Sequence, residues 1–416
     1  MFLVDNLEQS NASIKLYVNL ILLKEIRRHN ADFIALHMQE VGGKNYEVCT
    51  AQVPGFVEKI ASCLRPLGYA TVEAYLDLDY EVADNYVALG SLYFIRDTCK
   101  LAVDQYDFKS KQYTKLERNF VMVTKGLSRC TKIRKAKFPK DFWPTVRWTR
   151  KGFMHCRFRF NKTPIDFVNV HLFHDDSNIA LVHENPALYS ENRKRALNFV
   201  IEELRRLEDG RPDALFLFGD LNFRLDSASF LNRITEGADQ RHDSVIFTEG
   251  ADDDIETTSL AAVEPVSTDF LKPNDGHEAE GLRRTVSAIE FRRSPNSSKK
   301  DLQSNCVLRI EKKRFDYINH KRLLKEWEYY LEDDKEVLNF PYLKELKIRF
   351  PPTYPWSEDP EDSEMLMKTR APAWCDRILM NSLAYEMVGS NDNVVYDSIG
   401  KDVCMGDHKA SHILVY

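Results

Sequence analysis

The sequence predicts an α/β fold, and three observations carry that prediction. A fully apolar run, LFLF (215–218), stops at Gly219 and is followed at once by Asp220, Asn222 and Arg224. Just upstream, SENRKRALNFVIEELRRLEDG (190–210) sets Leu197, Val200, Ile201 and Leu204 at helical spacing, behind a serine and ahead of a glycine. These are the ordinary start and stop signals of a helix. Before it, PIDFVNVHLF (164–173) alternates with period two, as a half-buried strand does. Strand, helix and strand, with polar residues gathered at the strand ends, is the pattern of an α/β protein.

The other elements follow in order. Ile14, Tyr17, Val18 and Ile21 recur at helical spacing after Asn11 and predict an early amphipathic helix. DFIALHMQE (32–40) predicts a strand running into a polar end, and ALGSLYFI (88–95) a further strand. Beyond the central unit the rhythm breaks. Residues 235–305 contain EGADDDIETTS, KPNDGHEAEG and RRSPNSSKKD, with few apolar residues and no sustained period. They read as a flexible surface insertion in a single domain. Its RRTVS stretch (283–287) could accept phosphate, but reads as a solvated charge cluster. VLRIEKKRFDYINHKRLLKEWEYYL (307–331) reads as helical.

Composition narrows the class. Apolar residues at 43% and charged residues at 29% suit a globular protein with a core of useful size. A net charge of −6 and a pI near 6.1 give no basic footprint, which argues against broad nucleic-acid binding. The eight cysteines are scattered without a CxxC pair. They are neither a disulfide framework nor a zinc site, and read as reduced thiols of a cytosolic protein. MFLVDNLEQS lacks the basic start of a signal peptide, and KLYVNLILLK is too short to span a bilayer. The reading is a soluble protein.

Five polar clusters remain. In extended backbone Asp220 and Asn222 point to one side, and a carboxylate beside an amide can orient and deprotonate a water. Glu40 closes the 32–38 apolar run, and a lone glutamate there suits Mg²⁺, which keeps most of its waters. Asn169 and His171 share one face late in a strand. PAWCDR (372–377) sets Asp376 and Arg377 beside rigid apolar residues, and GDHK (406–409) brings Asp407, His408 and Lys409 together.

QE, NVHL, GDLNFR, PAWCDRIL and GDHK, in that order, resemble the inositol polyphosphate 5-phosphatases, a family of the deoxyribonuclease I-like superfamily of endonucleases, exonucleases and phosphatases. QEVGGKNYE, TRKGF, NVHLFHD and FPPTYPWSED resemble its soluble type I branch. The resemblance covers residues 1–234 and 306–416. It implies a four-layer α/β/β/α sandwich of two mixed sheets with the site at one edge. It also implies Mg²⁺-dependent hydrolysis of the 5-phosphate of inositol 1,4,5-trisphosphate and 1,3,4,5-tetrakisphosphate, which ends calcium-mobilising signalling.

The resemblance assigns roles residue by residue. Glu40 would hold the metal, with Asp407 in reach of it or its waters. Asp220 would orient and deprotonate the attacking water, and Asn222 would hold the phosphate or that water. His408 would donate to the phosphoryl oxygens, oriented by Asp376, with His171 on the opposite side. Lys368 and Arg370 would grip a neighbouring phosphate. Arg377, Lys409, Arg224, Lys151 and Asn169 are further substrate contacts, and Tyr354 lines the pocket. Pro355 stands where lipid-acting relatives commonly carry a lysine, which favours soluble inositol polyphosphates.

Two departures from the family pattern complete the reading. The first strand of relatives, a T-x-N-V pattern, is not recognisable in MFLVDNLEQSN. That keeps open a catalytically impaired inositol-phosphate-binding protein, beside a nuclease of the same superfamily. No cysteine follows Cys404, so the sequence reads as carrying no lipid anchor; it is expected to be a monomer in the cytoplasm. Plasma-membrane association is expected only for a longer, prenylated product.

Overall fold

Alternating apolar residues give two sets of strands a shared inner face, and the chain folds by closing those faces together. The computed structural model describes residues 23–43, 45–116, 119–143, 149–184, 187–207, 213–247, 283–294, 305–389, 394–400, 404 and 406–415. The chain runs through α1 (23–29), β1 (Phe33–Met38), α2 (Val53–Leu64), β2 (Thr71–Leu76) and β3 (Gly90–Ile95). Next come β4 (Val103–Asp107), β5 (Gln112–Lys115), β6 (Phe120–Val123), β7 (Arg134–Lys137), β8 (Gly152–Phe160) and β9 (Thr163–His171). α3 (Leu188–Arg205), β10 (Ala214–Asp220) and α4 (Ser227–Ile234) follow. The strands β11 (Asp239–Phe247), β12 (Arg283–Arg292), β13 (Cys306–Glu311) and β14 (Arg314–Tyr317) come next. The chain then passes through α5 (His320–Lys325), β15 (Asp376–Met380), α6 (Ser382–Gly389), β16 (Val395–Ile399) and β17 (Ala410–Leu414).

One mixed sheet has the order β1-β3-β2-β6. The larger has β15-β10-β9-β8-β4-β5, with β7 also on β8. Tyr93, Met154, Phe158, Phe167, Phe216 and Trp374 belong to the core between them. On the outer face of the larger sheet, Val168, Val170, Leu215 and Leu217 meet Leu197, Val200 and Leu204 of α3. On the other side, Val57, Ile60 and Leu64 of α2 cover Val72, Ala74, Leu92 and Phe94. The result is the four-layer helix/sheet/sheet/helix sandwich. Full burial of each such side chain is worth about 1.5–3 kcal/mol. β10 shows why LFLF is unbroken: Leu215 and Leu217 face α3 while Phe216 and Phe218 face the inner core, so neither face tolerates a polar residue.

Four local readings change. Ser190 is not the cap of α3; the helix begins at Leu188, and the Ser190 hydroxyl donates back to the Ala187 carbonyl. The span 235–305 is not a loop throughout. β11 and β12 form an antiparallel ladder that continues to β13 and β14, and Ile289, Phe291, Leu308, Ile310 and Phe315 join the main core. RRTVS is the first half of β12, with Thr285 opposite Val245. Residues 307–331 are first a hairpin, since Lys312 and Lys313 turn β13 back on β14, and only then helical. Their strand character depends on β12, a partner hidden while its sequence read as loop. The early helix over residues 11–21 and most of the insertion lie outside the described residues. None of the eight cysteines is in a disulfide, and among the described residues no helix is long and apolar enough to cross a membrane.

Gly219 is required by a close approach of backbones. A Cβ there would lie 1.8 Å from the carbonyl oxygen of Val170 on the neighbouring strand β9. Gly219→Ala is therefore expected to cost at least about 3 kcal/mol, the high end of single-substitution effects. Urea unfolding checks this; a variant as stable as the parent would contradict the strand spacing.

Candidate active site

The sheet register collects the site. β10 runs parallel to β9 and antiparallel to β15, with Asp220 opposite both His171 and Asp376. Three polar side chains thus stand in one row at the ends of three adjacent strands. His171 Nε2 lies 3.2 Å from Asp220 Oδ2 and also touches Lys151 Nζ. His408 Nδ1 binds Asp376 Oδ2 at 2.7 Å. Its Nε2 is 4.0 Å from Asp220 Oδ2, too far for a hydrogen bond, so both retain capacity for a ligand atom.

Glu40 reaches the same cleft from the smaller sheet. It has φ 53°, a left-handed conformation rare outside glycine and asparagine. Backbone bonds hold it there: Gly43 N–H donates to the Glu40 carbonyl and Val41 N–H to the carbonyl of Ala88, each at 2.8 Å. Its carboxylate is a quarter exposed, with Arg150 Nη2 and Lys151 Nζ each 3.8 Å away and His171 Nε2 3.9 Å away. Asn169 ties the two sheets together beside it. Its Nδ2 donates to the carbonyls of Met38 (3.1 Å) and Gly90 (2.9 Å), and its Oδ1 accepts from Gln39 Nε2 (2.6 Å).

Asn222 meets Asp220 through a turn rather than through strand alternation. The strand ends at Asp220, and Asn222 takes φ 52°. Its backbone N–H donates to Asp220 Oδ1, and its Nδ2 to the Leu172 carbonyl. The last motifs converge on Thr353. Its hydroxyl accepts from the N–H groups of Cys375 and Asp376, and its carbonyl from that of Lys409. Tyr354 then packs against His408, ring centres 4.6 Å apart and planes tilted by 41°.

Burial and neighbouring charge set the protonation states. Burial raises Asp220, but His408, His171 and Lys151 outweigh it and hold its carboxyl well below the usual range. Burial likewise opposes ionisation of Glu40, yet Lys151, His171 and Arg150 lower its pKa to about 2. Burial lowers Lys151 to about 8 despite Glu40 and Asp220. It also lowers His171, helped by Lys151. His408 goes the other way: burial disfavours its charge, but Asp376, Asp220 and Asp407 raise it to about 9. One histidine is therefore neutral and the other cationic near neutral pH.

Several expected substrate contacts lie elsewhere. Arg377 follows Asp376 in a strand and so points to the opposite face, where Glu345 and Asp334 bind its guanidinium. Lys409, next to His408, turns away to the Ser363 carbonyl and the Trp356 ring. The Asn169 amide is occupied by the smaller sheet. Arg224 is interior, donating to Asn222 Oδ1 (2.8 Å) and Cys375 Sγ and lying over the Tyr354 ring. Arg370 donates to Asn178 Oδ1 and the carbonyls of Asp175, Asp176 and Lys312. Lys368 is half exposed and paired with Asp316 at 2.8 Å. Asp407 acts on both His408 and Tyr354 through its charge. The sequence reading missed Arg150, though it adjoins Lys151, and Thr353, whose short neutral side chain gave no signal.

The donor set fits a hard divalent cation. Glu40 is ionised, and among the described residues its cationic neighbours Arg150 and Lys151 stand 3.8 Å away. Asp376 Oδ1 is buried with no hydrogen-bond partner. The nearby group of Asp220, Asp376 and His408, with ligand atoms within 4.8 Å of one another, includes a cationic imidazole and is therefore not itself the metal donor set. Carboxylate oxygens with room for waters suit Mg²⁺ or Ca²⁺.

Known proteins share this arrangement of sequence. Residues 6–246 and 306–410 match the family described as endonuclease/exonuclease/phosphatase family 2. The chain is 49% identical over 385 residues to a probable type I inositol 1,4,5-trisphosphate 5-phosphatase of Caenorhabditis elegans, covering 92% of this chain and 90% of that protein. It is 37% identical over 392 residues to inositol polyphosphate-5-phosphatase A of Homo sapiens, covering 92% and 84%. Among solved structures it is similar to the inositol polyphosphate 5-phosphatase domain of SPsynaptojanin in complex with inositol (1,4)-bisphosphate and calcium ion. That likeness has 16% identity and a TM-score of 0.43, over 97% of this chain and 92% of that one. The chain belongs to the deoxyribonuclease I-like endonuclease/exonuclease/phosphatase superfamily and, within it, to the type I inositol polyphosphate 5-phosphatase family.

Because the folded pKa of His408 is raised above its ordinary 6.5 to about 9, its charge stabilises the fold in full below about pH 6.5. That contribution fades as pH rises through about 9. In chelator-treated protein, an imidazole resonance titrating near 9 is expected, and Asp376→Asn should lower its midpoint. NMR titration of the two proteins measures it; equal midpoints would exclude Asp376 as the group that holds the proton.

Proposed function

We propose that this protein is a Mg²⁺-dependent phosphatase that removes the 5-phosphate of inositol 1,4,5-trisphosphate, with 1,3,4,5-tetrakisphosphate as a second substrate. The observation that carries the reading is the 4.0 Å separation of Asp220 Oδ2 and His408 Nε2 in a cleft shared with Glu40 and Lys151. A low-pKa carboxylate faces a cationic imidazole there, so an attacking water and a phosphoryl oxygen each find a partner. Family membership supports the substrate class.

A phosphomonoester dianion must be approached by a nucleophile and its developing charge stabilised. His408, held as a cation by Asp376, donates from Nε2 to a phosphoryl oxygen. Lys151, pressed against neutral His171, adds a second positive group from the other side. Asp220 orients the attacking water. Its pKa is low while His408 and Lys151 face it alone, so it is a weak base at first. The arriving phosphate dianion engages those same cations and adds a like charge, which raises Asp220's basicity where the proton must be taken. Asn222, fixed beside it, retains one Nδ2 hydrogen for the phosphate or the water. A divalent cation held by Glu40, with Asp407 in reach of its waters, would supply Lewis-acid polarisation of a phosphoryl oxygen. Tyr354 walls the pocket, and Lys368 at the rim supplies a neighbouring phosphate with a cation if it exchanges Asp316 for it.

Purified protein is expected to release inorganic phosphate from inositol 1,4,5-trisphosphate, to stop with EDTA and to recover with Mg²⁺. Asp220→Asn should lower kcat by about 10²- to 10⁴-fold, the usual weight of a positioned acid–base group. No release at high enzyme and Mg²⁺ concentration, together with retained substrate binding by calorimetry, would replace this reading with a binding protein.

A further inference from the structure

A buried chain of charged groups runs from the helix layer to the reacting centre. Arg193 lies on the inner face of α3, only 1% exposed. Four bonds hold its guanidinium fork: Nε and Nη2 grip Glu336 at 2.6 and 2.9 Å, and Nη1 reaches Asp175 at 2.5 Å and the Phe173 carbonyl. Both carboxylates then act on Arg224. Glu336 Oε2 accepts the Arg224 backbone N–H at 3.0 Å, and Asp175 Oδ2 lies 3.5 Å from its Nε. Arg224 Nη2 in turn fixes Asn222 Oδ1 at 2.8 Å, and the Asn222 backbone N–H meets Asp220.

We infer that Arg193 is a positioning residue for the proposed hydrolysis. Through Glu336 it locks the backbone of Arg224, and through Asp175 it holds in place the charge facing the Arg224 guanidinium, and thereby the amide plane of Asn222 beside Asp220. The inference rests on the reaction proposed above. An amide that swings freely exchanges its oxygen for its nitrogen, so a donor becomes an acceptor facing the phosphate. Arg224 prevents that by holding the oxygen while the Leu172 carbonyl holds the nitrogen. Packing alone does not call for this arrangement, because apolar residues of similar volume commonly replace buried ion pairs without loss of stability. The network also reaches the rim, since the Asp175 carbonyl accepts from Arg370.

The test pairs Arg193→Met with Glu336→Gln, which removes a buried cation and its countercharge together and leaves Asp175 beside Arg224. With an unfolding midpoint near the parent's, kcat on inositol 1,4,5-trisphosphate is expected to fall about 10- to 100-fold, as for a misplaced reacting group. KM should change little, and the loss should largely vanish in an Asn222→Ala background. Arg193→Lys, which keeps the charge and loses the fork, gives the same readout if the double variant is unstable. Parent-like kcat in a folded variant, or an equal loss with and without Asn222, would overturn the inference. Solvent exchange of the Asn222 side-chain amide, followed by NMR on asparagine-labelled protein, needs no turnover. Faster exchange in the variant supports positioning even if the parent proves inactive, and unchanged exchange opposes it.

Discussion

The site depends on one asparagine that fastens two sheets together. Glu40 belongs to the smaller sheet, while His171, Asp220 and Asp376 belong to the larger, and apolar packing alone would let the layers slide. Asn169 prevents this by donating to two backbone carbonyls of the facing sheet and accepting from Gln39. Being buried, these bonds compete with no water, and a slip of either sheet would leave several polar groups unpaired at about 1–3 kcal/mol each. A directional bond at the edge of a non-directional core converts a layered fold into a site with fixed distances.

Within that frame, opposing charges do the chemical tuning. Burial alone would neutralise every ionisable group in the cleft. Partners reverse its effect at Asp220, Glu40 and His408 and fail to reverse it at His171 and Lys151. The two imidazoles thus hold opposite protonation states because burial, helped by the Lys151 ammonium, prevails over Asp220 at His171, whereas Asp376 at 2.7 Å, with Asp220 and Asp407, overcomes burial at His408.

Much of this was legible in the residues. The LFLF run, the helix before it and the polar strand ends identified the α/β layers, because burial on one or two faces leaves a periodic trace. The acids, amides and imidazoles that meet in the cleft stood out at the ends of those runs. Adjacency misled at Arg377 and Lys409, where side chains next to site residues leave by the other face. Asn169 was singled out for a ligand when its partners were backbone carbonyls, which carry no sequence signature. Arg193 was hidden among the charges of an amphipathic helix, since a surface arginine and a buried one look alike until their partners are placed. The ladder from β11 to β14 was missed because β11, β12 and β13 are separated by long polar sequence, which left the β13–β14 hairpin without a visible partner.

That ladder has a bearing on how the chain can vary. Phe247 and Arg283 are opposite one another, so the described chain stops and resumes at a single rung of the ladder. The entropy of closing such an excursion grows only with the logarithm of its length. A connection of another length between the two anchoring residues is compatible with the same rung, and so with the same ladder.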